Sequence, residues 1–136
     1  MQKKSKQDFS VSEICILKLL WKENRAMTAT EMIDNLPELN LILTSIYVIL
    51  KGMINKGFVS LEGLERYGKR AAKTFRAIIS PEDFATLQIS KMLPPAPKRE
   101  RMLGIVSSMA EHDGLDMETI SALEDYLQMK RKELEQ

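Results

Sequence analysis

The chain has 136 residues, 44% hydrophobic and 29% charged, with one cysteine and one histidine. That length holds one core, or one core and a smaller helical appendage, and the composition is ordinary for a folded protein. A single cysteine excludes an internal disulfide, Cys15 and His112 are too far apart in sequence to suggest a zinc site, and no apolar run approaches the roughly 20 residues of a membrane span.

The net charge of +1 conceals an asymmetry. Residues 1–79 hold 13 Lys or Arg and 8 Asp or Glu, a net of +5, whereas residues 80–136 hold 7 and 11, a net of −4. The amino-terminal part is therefore the half suited to a polyanion. Met1-Gln2-Lys3-Lys4-Ser5-Lys6 leads into Asp8 with no apolar signal core, so a cytoplasmic protein without membrane insertion is expected.

In chain order, Phe9-Ser10-Val11-Ser12-Glu13-Ile14 is a capping box with its staple: Ser10 caps, Glu13 reaches back, and Phe9 packs on Ile14. The first helix should run through Trp21 and bury Ile14, Leu17, Leu20 and Trp21, with Cys15 as a buried side chain. Met27 to Met32 repeats the device with Thr28 and Glu31, predicting a short helix from Ala29 to Leu36 that stops before Pro37. Asn40 is a candidate cap for a third helix.

The run Leu41 to Gly57 carries that third helix. Ile46, Ile49, Leu50, Met53 and Ile54 follow the spacing of one buried stripe, and Lys56-Gly57 closes it with a cation and a C-terminal cap. Thr44, Ser45, Tyr47, Val48 and Lys51 are left facing outward. Phe58–Glu62 and Lys73–Ile79 are β-prone, which predicts a hairpin whose long basic tip spans Arg66 to Lys73, with Gly63 and Gly68 allowing turns. Ser80-Pro81 starts a fourth helix, and Pro94-Pro95-Ala96-Pro97 ends it.

Two more helices are expected, one spaced by Leu103, Val106 and Met109, the other capped by Asp116 and spaced by Ile120, Leu123 and Leu127. His112-Asp113-Gly114 is read as the turn between them. Two helices cannot close a core alone, so these six apolar residues are the candidate dimerisation surface, matched by the same segment of a second copy. The predicted fold is mainly α: a winged helix-turn-helix domain over residues 8–80 with a two-stranded wing, and a helical dimerisation region over 81–136.

In such a module the third helix enters the major groove and the hairpin tip touches phosphates. Thr44 and Ser45 can meet phosphates or base edges, and Tyr47 can do so while offering a thymine methyl an apolar face. The plainer alternative for Thr44 and Ser45 is helix-start capping. For Arg66, Lys69, Arg70 and Lys73 the alternatives are phosphate contact and a solvated loop. No serine, cysteine or carboxylate stands in a nucleophile or metal motif with a partner, so no catalytic residue, metal or cofactor is expected. The nine methionines read as soft core filling.

Ser10-xx-Glu13, Leu20-Trp21, Thr28-xx-Glu31-Met32, Thr44-Ser45-Ile46, Leu50, Lys56-Gly57, Gly68-Lys69-Arg70-Ala71 and Phe75-xxxx-Ser80 together resemble the penicillinase-repressor family, over about residues 8 to 130. The resemblance implies a homodimeric repressor of a palindromic double-stranded DNA operator. It places Thr44, Ser45, Tyr47, Val48 and Lys51 on DNA, with Lys69 and Arg70 in the wing. It further implies a membrane sensor or regulatory protease as a possible partner for antibiotic-answering members, which are cleaved in the first dimer helix, here around Ser108 and Met109. The cysteine pair of the copper-responsive branch is missing. The chain departs from the family pattern at Val48 and Gly52, and Ile42 and Leu43 add apolar surface nearby. A winged-helix module that binds a protein or a small ligand is the alternative.

Overall fold

The computed structural model describes residues 10–67 and 69–136. The expected Phe9–Ile14 staple and Gly68 turn lie outside the described residues. Two compact units divide the chain, the first ending at Leu93 and the second spanning Pro94–Gln136.

In the first unit, α1 (Val11–Glu23) starts as its sequence dictates. Ser10 Oγ accepts from the Glu13 N–H at 3.2 Å, and Glu13 Oε1 accepts from the Ser10 N–H at 2.9 Å. Asn24, at φ 52°, ends the helix in the left-handed region. Its fully covered residues are Ile16 and Leu17, with Leu19 and Leu20 close behind, whereas Ile14 and Trp21 are half-buried rather than core. Cys15 is likewise half-buried. Trp21 keeps its polar edge satisfied: its indole N–H donates to the Ile79 carbonyl at 2.9 Å.

A two-residue strand β1 (Met27–Thr28) precedes α2 (Ala29–Asn35), whose capping box pairs Thr28 with Glu31 as expected. Asn40 does not cap the next helix. It closes a 3-10 turn (Pro37–Leu39) in the left-handed conformation, and α3 (Leu43–Asn55) begins after Ile42, which has no side chain able to cap. Ile46, Leu50 and Met53 of α3 are buried, Ile49 is half-buried, and Ile54, expected in the stripe, is exposed at its edge.

The hairpin is longer and its tip tighter than the sequence suggested. Strands β2 (Val59–Tyr67) and β3 (Arg70–Ala77) pair antiparallel almost to their ends, with Arg66 opposite Ala71 and Tyr67 opposite Arg70. Most of the basic stretch is thus strand, not loop, because alternating side chains let it continue the ladder with both faces solvated. Gly63 makes no turn either; it sits beside a bulge where the register shifts between Leu61 and Gly63. β1 pairs with β3 on its other side, Met27 opposite Phe75, giving the order β1-β3-β2.

Helix α4 (Pro81–Met92) begins at the Ser80 cap and lays Phe84 edge-on against Trp21 and Phe58, with ring centroids 5.9 and 5.3 Å apart. Phe84 belongs to the buried cluster that Phe58, Phe75, Ile46, Leu50 and Ile16 share. This helix therefore completes the first core, although the sequence grouped it with the carboxy-terminal region.

The second unit comprises α5 (Lys98–Asp113) and α6 (Met117–Glu135). His112 and Asp113 end α5 instead of forming a turn, Gly114 at φ 81° provides the break, and Asp116 caps α6 by accepting from the Thr119 N–H at 2.7 Å. No residue of either helix is buried. No helix among the described residues is long and apolar enough to cross a membrane.

Candidate nucleic-acid interface

Burial of Ile46, Leu50 and Met53 fixes how α3 is rotated, and the opposite face is left to solvent. At 100° per residue, Thr44, Val48, Lys51 and Asn55 recur along the centre of that open face, flanked by Ser45 and Tyr47. All six are exposed, Val48 most markedly at 73%. Thr44 and Ser45 do not serve as the helix cap, since that position is Ile42. Both side chains are exposed to solvent. The Tyr47 ring leans on Phe75 of β3, centroids 6.3 Å apart, which couples the helix face to the hairpin.

Register decides which hairpin cations stand near that face. Lys73 shares the Phe75 side of β3 by strand alternation, and Arg66, opposite Ala71, lies on the same side. Arg70 points to the other side, where it lines a hollow of about 500 Å³ with Thr28, Thr30, Glu31 and Asp34. Lys69 is exposed at the tip. The basic cluster read as one surface is therefore split between two.

The angle of α3 is set by a contact that sequence reasoning missed. Glu13, already occupied in the α1 capping box, accepts from Lys56 Nζ through both oxygens, at 3.0 and 2.8 Å. The side chains are 7% and 16% exposed. This bidentate, nearly dry pair ties the start of α1 to the end of α3. Its only sequence signal is a capping glutamate, fully explained by its local role.

A second acid acts on α2. Arg25 donates to Glu31 at 2.6 Å, and this hydrogen bond, helped by the Thr28 N–H, holds the Glu31 carboxyl below its ordinary range. The folded pKa being below the unfolded one, Glu31 contributes stability in full above the unfolded value of about 4.3, and loses it as pH falls toward the folded value. Chemical denaturation between pH 7 and pH 3 should therefore show a shallower acid decline for Glu31→Gln than for the native chain. An unchanged acid limb would remove Glu31 from the pH dependence.

In the second unit the six candidate dimerisation residues gather on α5 and α6. Leu103, Val106, Met109, Leu123 and Leu127 are 42–62% exposed, and Ile120 is half-buried. Val106, Met109, Leu115 and Leu123 line a mostly apolar hollow of about 280 Å³ where the helices meet. Tyr126 and Leu134 extend the exposed apolar surface of α6.

Three helices joined to a β-hairpin, with the outer face of the third open beside basic strands, define a winged helix-turn-helix protein. The sequence matches the penicillinase repressor family over residues 9–129. The chain belongs to this family of transcriptional repressors, which are regulators and not enzymes. No curated protein matches it.

Proposed function

We propose that the protein represses transcription by binding a palindromic operator as a homodimer. The observation that carries this reading is the open face of α3: a buried stripe fixes the helix, and the opposite side presents Thr44, Ser45, Tyr47, Val48 and Lys51 to solvent. In the proposed complex that face enters the major groove. Arg66 and Lys73 approach phosphates from the hairpin side nearest Tyr47, while Lys69 and Arg70 extend the contact at the tip. Leu103, Val106, Met109, Ile120, Leu123 and Leu127 join two copies, placing two α3 helices on half-sites about one helical turn, roughly 34 Å, apart.

Selection of bound fragments from a random duplex pool tests the reading directly. A palindrome should emerge, with affinity falling steeply as salt rises. Enrichment of nothing, with salt-insensitive capture of another molecule by the apolar end of α3, would favour a protein-binding or ligand-binding module. Ser108 and Met109, where the resemblance places proteolytic release, lie within α5, so cleavage there requires the helix to open locally.

The hairpin's share is separable. Arg66→Ala with Lys73→Ala should weaken binding to all sequences alike and lower the slope of log affinity against log salt by about one to two. A loss of sequence preference at constant slope would instead move these side chains into a groove.

A further inference from the structure

Gly52 lies inside α3, where glycine is the worst choice short of proline because it adds backbone freedom to the unfolded chain. Among the described residues no close approach and no left-handed backbone calls for it. A Cβ built at Gly52 meets no atom within 4 Å, and its φ is not in the left-handed region. The face that Gly52 borders is the open one. One turn earlier on that face stands Val48, 73% exposed and apolar in the middle of the helix.

We infer that Val48 and Gly52 form an apolar notch that reads the 5-methyl group of thymine in the major groove. The inference rests on the operator reading above and names what that face recognises. A side chain at position 52 would hold the helix away from the groove floor, whereas glycine lets the backbone approach. The Val48 isopropyl group is then brought against the one apolar substituent that a base pair presents in the major groove. Charge argues for a nucleic-acid occupant over an apolar protein: Lys51 lies on the same face, Arg66 and Lys73 flank it on the hairpin, and residues 1–79 carry a net +5.

The test uses the full-length protein and the duplex recovered by selection, with each thymine in turn replaced by deoxyuridine, which removes only the methyl group. At one thymine per half-site the native protein should lose affinity about fourfold, the value of burying one methyl group, and roughly fifteenfold when both half-sites are changed. Val48→Ala should bind the thymine duplex more weakly and should no longer distinguish it from the uracil duplex. Gly52→Ala should raise the melting temperature, because alanine is the better helix former, yet lower operator affinity. That opposition separates a recognition role from a structural one.

Operator binding that is indifferent to uracil at every position, or undiminished in Gly52→Ala, overturns the inference and leaves the operator reading intact. Failure to enrich any duplex overturns both.

Discussion

Leu123→Glu combined with Leu127→Glu is expected to convert the protein to a monomer in sedimentation and to lower operator affinity at least 100-fold. Within one chain these leucines are 42% and 62% exposed, so charging them takes little from the chain's own core. In a dimer, four leucines leave water. Each contributes roughly 1.5–3 kcal/mol when fully buried, and carboxylates in their place oppose association. In the proposed complex affinity follows because the second half-site is engaged from an already tethered position, an advantage of about 10²–10⁴ that vanishes when the two copies part. Circular dichroism should show unchanged helix content. A variant that stays dimeric and binds normally would place the contact between copies on another surface.

The largest loss of stability is expected at Glu13. Glu13→Ala removes the capping-box acceptor and takes from the Lys56 ammonium, 16% exposed, the carboxylate that accepts from it through both oxygens. Breaking one side of a buried pair costs about 3–5 kcal/mol. Denaturant unfolding should show this, and Glu13→Gln should lose less because the amide oxygen still caps. The double change Glu13→Gln with Lys56→Met should recover part of the deficit, since both charges of the buried pair are then removed together. If Lys56→Met alone proves as damaging as Glu13→Ala, the ammonium contributes more to the fold than the pairing argument allows.

These two sites mark the boundary of what could be read from the chain. Elements with a local signature were legible: Ser10 with Glu13, Thr28 with Glu31, Ser80 with Pro81, and Asp116 each start a helix at the residue that sequence rules assign. The winged helix and its family were legible too, because helix periods and β-prone runs follow in the right order. What escaped depends on distant partners. Met27–Thr28 is too short to carry a strand pattern and becomes one only because β3 lies alongside it. Asn40 has a capping side chain, but the 3-10 turn claims it first. The division of Arg66 and Lys73 from Arg70 follows from register, which basic composition does not encode. Phe84 looked like part of a carboxy-terminal segment until its contacts with Trp21 and Phe58 assigned it to the first core.

The irregularity between Leu61 and Gly63 bears on how the protein survives at high concentration. β2 is an edge of the sheet, and at nine residues it is long enough to template another molecule's strand. The bulge interrupts its ladder near the middle, and Glu62, Glu65 and Arg66 line it with charges that resist burial. A second molecule adding there would meet a kinked, charged rim and would need to strip water from all three side chains. Sheet extension into fibrils is thereby discouraged.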